Sequence, residues 1–191
     1  MRPGLAIMIL WVAWIVSWLA AMVWSTRPEK RAGFGTELGY RVVLVLGVLL
    51  FFVPTHGYYD PLRFWHIGWD GAWICAVLIA LGFAFTWWAR IRLGTLWSGS
   101  ITKKPDHWVV DTGPYAIVRH PIYTGLLLAV LATAAAKGTL FGIVGALLII
   151  VGLWMKARFE ERWLSQELGA AAYEAYRCKV PMLVPFGPKA K

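Results

Sequence analysis

Two stretches of this chain concentrate the side chains able to do chemistry. One runs His107-Trp108-Val109-Val110-Asp111-Thr112-Gly113-Pro114-Tyr115 and then Arg119-His120-Pro121-Ile122-Tyr123-Thr124-Gly125; the other is Glu160-Glu161. Both lie at the ends of long apolar runs, where ionisable groups are costly and so become functional candidates. Pro121 suits the first turn of a helix, because the N–H it lacks would have no partner there. A helix starting at this point presents free N–H groups, and such an end binds anions. Arg119 adds a planar donor fork matched to a carboxylate. Tyr115 offers a ring for stacking, and Gly125 leaves space for a ligand or a helix. Glu160 and Glu161 complement a cation; their plainer reading is pairing with Lys156 and Arg158, four and three residues upstream on the same helix.

The elements that must position these residues are apolar helices. The chain has 191 residues, 59% hydrophobic and 15% charged, with a mean hydropathy of +0.60. A soluble domain carries about 25% charged residues. A helix needs roughly 20 apolar residues to cross a bilayer, and the runs place spans at about 5–24, 39–54, 71–91, 121–136 and 138–158. The expected fold is all-α: a polytopic membrane helical bundle of five transmembrane helices, a single domain over 1–191. The first run exceeds a signal h-region of about 7–15 residues and lacks a small-residue cleavage site, so it reads as a retained span. Beyond the fifth span, Trp163, Leu164, Leu168, Ala171 and Ala172 keep a helical apolar spacing, which predicts a continuous cytoplasmic extension of the last helix. The apolar stretch Met182–Phe186 is expected to fold back onto the bundle.

Charge sets orientation rather than nucleic-acid binding. The net charge of +9 is spread over loops, not gathered on one face. Basic residues crowd the loop after helix one, the loop after helix three and the tail, while the opposite loops hold Arg63 and Lys137. The positive-inside rule then puts the N-terminus outside and the C-terminus in the cytoplasm, as an integral membrane protein, with a prokaryotic inner membrane as the expected location. Thirteen tryptophans read as interfacial anchors, among them Trp11, Trp24, Trp65, Trp69, Trp87, Trp88, Trp154 and Trp163. Cys75 and Cys178 fall in different environments, so no disulfide is expected, and no zinc spacing occurs. The 94–118 connection is long enough to suggest function. His107 alone reads as a solvated loop residue, and Tyr173 and Tyr176 as interfacial aromatics or, less simply, as lining of an acceptor site.

An anion site, a cation site and a flat aromatic surface together suit S-adenosylmethionine, and also a zwitterionic lipid headgroup. The segments quoted above, with Tyr173-Glu-Ala-Tyr-Arg-Cys-Lys-Val-Pro181 and Leu183-Val-Pro-Phe186, resemble the isoprenylcysteine carboxyl methyltransferase family and its relatives, the small membrane phospholipid methyltransferases. The likeness covers about Leu93 to Phe186. It implies S-adenosylmethionine as cofactor, held at the cytoplasmic side by elements 94–125 and 156–186. The implied contacts are His107, Trp108, Val109, Val110, Tyr115, His120, Pro121, Ile122, Tyr123, Gly125 and Glu161. Arg119, His120 and Glu160 are the expected catalytic residues, and Arg158, Tyr173 and Tyr176 the expected substrate contacts. The carboxyl methyltransferases place an arginine one helical turn before the cofactor-binding acid; here that position is Ala157, with Arg158 its neighbour, and one residue turns a helical side chain by about 100°.

The expected reaction is a single methyl displacement onto a lipid-embedded nucleophile, isoprenylcysteine-type carboxyl O-methylation first. The alternatives are phosphatidylethanolamine-type N-methylation, small-thiol S-methylation, and a non-enzymatic lipid-binding protein. A carboxylate acceptor needs no base, and a dry site favours its attack on a sulfonium. An amine must lose a proton, for which Glu160 or His120 would serve. The expected partner is a lipid or lipidated acceptor from the bilayer, with no nucleic acid and no metal; the oligomeric state is left open.

Overall fold

Each of the five apolar runs forms a helix. In the computed structural model, which describes residues 1–24, 30–31, 34–54, 61–97, 102–103, 110–168 and 170–189, these are α1 (Pro3–Ala20), α2 (Phe34–Phe51), α3 (Gly68–Leu93), α4 (Pro121–Lys137) and α5 (Leu140–Leu168). A sixth helix, α6, spans Ala170–Lys179. Among the described residues, three stretches, Pro3–Val23, Gly68–Leu96 and Leu140–Gln166, are long and apolar enough to cross a membrane, and α4 is a shorter apolar helix. The outward faces carry exposed Val12, Val16 and Leu19 on α1, Val45 and Leu49 on α2, and Ile74, Val77 and Leu81 on α3. Side chains of that kind suit lipid rather than water. The chain is an integral membrane protein.

Small residues set the helix packing. α3 packs against α4 and α2 against α5. A Cβ on Gly82 would lie 2.5 Å from the carbonyl oxygen of Gly125, and one on Gly152 would lie 2.6 Å from Leu44 Cγ. Without a hydrophobic drive between helices in lipid, such close backbone approach supplies the dispersion contact that holds them together. Helix α4 ends at Gly138, whose φ of +61° gives a left-handed cap with its N–H donating to the Ala134 carbonyl at 2.9 Å.

Helix α1 is fastened by tryptophans. Trp11 Nε1 donates to Thr133 Oγ1 at 3.0 Å, and Trp14 Nε1 to Thr86 Oγ1 at 2.8 Å. Trp14 stacks on Phe83 and Trp18, with ring centroids 5.2 and 4.9 Å apart. Trp11 is therefore a core residue, not the interfacial anchor expected from its sequence. Its indole N–H finds a hydroxyl inside the bundle, which removes the need for an interface.

Loops gather at two opposite ends. At one end Arg63 bridges Thr139, and Lys137 Nζ donates to the carbonyls of Phe51 and Val53 at 2.5 and 2.9 Å. At the other, Lys30–Arg31 pairs antiparallel with Thr102–Lys103, a two-residue ladder. Arg90, fully buried, donates there to the carbonyls of Gly94, Ala21 and Trp24 and lies between the Trp24 and Trp97 rings. It pins the end of α1 to the start of the long α3–α4 connection.

The last helix extends past the expected end of its span at 158 to Leu168, but it does not run on as one helix through Ala171 and Ala172 as the apolar spacing suggested. Residues 161 and 177 on one helix would stand about 24 Å apart at 1.5 Å per residue. Instead Arg177 Nε lies 3.4 Å from Glu161 Oε2. The chain reverses between α5 and α6, and Tyr173, Tyr176 and Val180 bury themselves against Leu164. Burying those aromatics outweighs keeping one axis.

Candidate functional site

The start of α4, the far part of α5 and α6 converge on Glu161. Arg119 Nε donates to Glu161 Oε1 at 2.6 Å, and its Nη1 donates to the carbonyls of Arg177 and Val180 at 2.9 and 2.5 Å. His120 Nε2 lies 3.3 Å from the same Oε1, and its Nδ1 lies 3.6 Å from Glu160 Oε2. Tyr123 donates its hydroxyl proton to Glu160 Oε1 at 2.7 Å and stacks on the His120 ring, 5.4 Å between centroids and 4° from parallel. Lys156 Nζ reaches Glu160 Oε1 at 3.8 Å and lies over the Tyr123 ring. Arg119, His120 and Glu161 are all buried.

Helical geometry produces this arrangement. Pro121 starts α4, so His120 and Tyr123, three apart, share a face. The adjacent acids diverge by about 100°: Glu160 turns to Tyr123 and Lys156, Glu161 to Arg119 and Arg177. The expected pairing of Lys156 with Glu160 is present. Burial disfavours a charged imidazole at His120, yet the two carboxylates beside it prevail and hold its pKa above the ordinary 6.5. Burial pushes the hydroxyl pKa values of Tyr115, Tyr173 and Tyr176 well above their ordinary value, so all three are neutral.

Several expected roles change. The Arg119 part of the anion site anticipated at the start of α4 is occupied from within the protein. The Arg119 guanidinium is spent on Glu161 and two carbonyls, and the amides of Arg119 and His120 donate to the carbonyls of Pro181 and Met182. Thr124 Oγ1 adds a bond to the Leu183 carbonyl at 2.6 Å. The tail thus docks here through Pro181–Leu183, while Val184 and Phe186 stay exposed, so only its first part folds back. Gly125 meets a helix, not a ligand: a Cβ there would collide with Gly82 and Thr86 of α3. Tyr173 and Tyr176 are buried rather than interfacial, and the Tyr176 hydroxyl donates to the Tyr115 carbonyl at 2.7 Å, tying α6 to the 3₁₀ turn Gly113–Ala116.

Val110, Tyr115, Ile122 and Tyr123 form one apolar cluster with Ala89 beside the ionic one, and Pro121 is buried with them. His107, Trp108 and Val109 lie outside the described residues. Ala157 is fully buried, so the turn before Glu161 does point inward, whereas Arg158 is exposed with its guanidinium 5.9 Å from the Trp154 ring centroid. Arg177 was not among the expected site residues. Its signal was present, since it lies inside the quoted Tyr173–Pro181 segment, but only the chain reversal brings it to Glu161.

Glu161 and Arg177 line an open cleft of about 270 Å³ with Arg158, Arg162, Ser165 and Gln166. The Nε of Arg177 is buried there, within ion-pair distance of Glu161 Oε2 at 3.4 Å but without hydrogen-bond geometry. The Glu161 carboxylate and the Arg177 guanidinium, 3.4 Å apart on one wall, carry the charges complementary to the ammonium and carboxylate of an amino acid, so by exchanging this pairing for the ligand they could hold the methionyl end of S-adenosylmethionine.

Residues 71–171 match the phospholipid methyltransferase family, more than half of the chain. The chain belongs to that family. The match contains α4, both acids and Arg119, and stops before most of α6. Among curated proteins, this phospholipid methyltransferase family member is 30% identical over 127 residues to the cobalt-zinc-cadmium resistance protein CzcN of Cupriavidus metallidurans, covering 65% of this chain and 56% of that one. It is 49% identical over 73 residues to methanethiol S-methyltransferase 2 of Bradyrhizobium diazoefficiens, 37% of this chain and 26% of the relative. It is 35% identical over 106 residues to the protein-S-isoprenylcysteine O-methyltransferase of Schizosaccharomyces pombe, 52% of this chain and 43% of the relative. The chain therefore spans about half or less of the length of these relatives. Among the described residues, no group of three or more His, Cys, Asp or Glu side chains is arranged to hold a metal ion.

Proposed function

We propose that this protein transfers a methyl group from S-adenosylmethionine to a lipid-embedded acceptor at the cytoplasmic interface of the membrane. One observation carries the reading: Arg119 and His120 at the start of α4, Glu160 and Glu161 of α5 and Arg177 of α6 meet in one ionic cluster, buried at Arg119, His120 and Glu161, beside an open polar cleft. Family membership and two relatives named as methyltransferases support it. In this reading α2 and α4 also cross the bilayer, giving five spans with the N-terminus outside. The two opposite loop ends and the basic residues near the site support that topology. Bacterial relatives support a prokaryotic inner membrane.

Bound S-adenosylmethionine supplies a methyl group on a sulfonium, already activated for displacement. Glu161 Oε2 and Arg177 hold its amino-acid end, and Val110, Tyr115 and Ile122 supply an apolar wall. The protein's contribution is alignment and exclusion of water, worth up to about 7–11 kcal/mol where alignment is good. His107, Trp108 and Val109 complete the cofactor set in this proposal.

Of the acceptors, an amine headgroup of the phosphatidylethanolamine type fits best. An amine must shed a proton, and Glu160, bonded to Tyr123 and near His120, is placed to take it. The isoprenylcysteine reading lacks its arginine, since buried Ala157 occupies that position. The deciding experiment gives purified protein labelled S-adenosylmethionine and total lipids, then identifies the product. Label in phosphatidylethanolamine derivatives supports the reading. Label in a farnesylcysteine analogue or a small thiol would move the acceptor. Calorimetry with S-adenosylmethionine should show binding that Glu161→Ala abolishes; no heat with folded protein would leave a lipid-binding protein.

A further inference from the structure

The outer face of α5 carries a feature that methyl transfer does not use. Leu147, Val151 and Trp154 are exposed along it, at 56%, 46% and 49%. At 100° per residue these three, with Arg158, Arg162 and Ser165, fall within one stripe about 80° wide. Its apolar half runs directly into its arginine half. Glu160 lies on another side of the helix, turned toward Tyr123.

The arginine half is concave. Arg158, Arg162, Ser165 and Gln166 line the outer part of the cleft closed by Glu161 and Arg177. The inner charges are matched: Glu161 is paired with Arg119 and Arg177, and Arg177 also with Glu174 at 2.5 Å. Arg158 and Arg162 have no carboxylate within ion-pair distance among the described residues; their guanidiniums lie instead over the Trp154 and Phe159 rings. Resting on aromatic faces, the guanidiniums are held in place while their donors stay open. Ser165 and Gln166 add neutral donors one turn on.

We propose that the outer rim of this cleft, at Arg158 and Arg162, binds the phosphate group of an anionic membrane phospholipid, whose acyl chains lie along Leu147, Val151 and Trp154, while the Glu161–Arg177 end is left to the cofactor. Two unmatched guanidiniums at the foot of a lipid-facing apolar stripe meet the phosphate and the chains of one molecule at once. Arginine forks suit phosphate oxygens bidentately, and basic pockets at the cytoplasmic end of membrane helices hold lipid headgroups. The site does not rest on the methyl-transfer reading, and it involves neither Glu160 nor His120.

The test compares the full-length protein and R158Q/R162Q in nanodiscs containing phosphatidylglycerol or only phosphatidylcholine, with retained lipid counted by native mass spectrometry. The wild type should retain one phosphatidylglycerol that phosphatidylcholine does not replace. The double variant should hold it about thirtyfold more weakly, the effect expected from two cations near the surface. R158K/R162K, with the charge kept but the fork lost, should fall between. Both arginines are exposed, so the variants are expected to fold, and unchanged thermal unfolding checks this. Equal retention by wild type and R158Q/R162Q overturns the proposal. Displacement of the lipid by millimolar inorganic phosphate also overturns it, because the site would then read a free anion. Loss of S-adenosylmethionine binding in Glu161→Ala with lipid retention intact separates this site from the cofactor site.

Discussion

Arg119 Nε and Glu161 Oε1 stand 2.6 Å apart, with each side chain 4% exposed, although 42 residues separate them in the chain. This pair joins the start of α4 to the far part of α5, and the Arg119 guanidinium extends the join to α6 through the carbonyls of Arg177 and Val180. The site's geometry depends on it. Removing one member of a buried ion pair strands the other charge, at about 3–5 kcal/mol. Arg119→Ala should lower stability by that amount, and Arg119→Met with Glu161→Met should recover much of it. Thermal unfolding in detergent measures both; an Arg119→Ala protein as stable as wild type would contradict this role.

His120 makes stability depend on pH. The folded protein holds its pKa above the ordinary 6.5, so the folded state binds the proton more tightly than the unfolded chain. That stabilisation is fully present below about pH 6.5 and is lost as pH rises through the folded-state value. The wild-type melting temperature should therefore fall over that rise, while His120→Gln shows a flatter profile. Identical slopes from about pH 5.5 to about pH 9 would rule this out.

The α3–α4 crossing should not tolerate a methyl group. Gly82→Ala puts its Cβ 2.5 Å from the Gly125 carbonyl oxygen, and overpacking of this kind costs about 1–3 kcal/mol. Gly4→Ala, with nothing within 4 Å of its Cβ, is the control and should be neutral or slightly stabilising. A Gly82→Ala protein that unfolds with wild type would refute the close approach.

Glu160 separates the acceptor chemistries. With an amine acceptor, Glu160→Gln should reduce turnover by about 100-fold or more, the usual range for a lost proton acceptor, with S-adenosylmethionine affinity little changed. Tyr123→Phe, which removes the hydroxyl donor to Glu160, should have a smaller effect and shift the pH–rate profile. Unaltered turnover of Glu160→Gln would return the reaction to an acceptor that needs no base.

The sequence by itself determined the five apolar helices, because apolar run length and the Pro121 start signal are local properties. It also marked Arg119, His120, Tyr123, Glu160 and Glu161, since ionisable residues beside apolar runs stand out whatever the fold. What only the tertiary structure decided is who partners whom. Arg119 reads as a donor for a ligand until α5 brings Glu161 to it. Gly125 reads as space until α3 fills it, and Trp11 reads as an anchor until Thr133 accepts its N–H. Arg177 joins the site only because the chain reverses after α5 and buries Tyr173 and Tyr176. The physical reason is the same in each case: a buried polar or small residue takes its meaning from the group opposite it, and that group lies on another helix, beyond the reach of any local pattern.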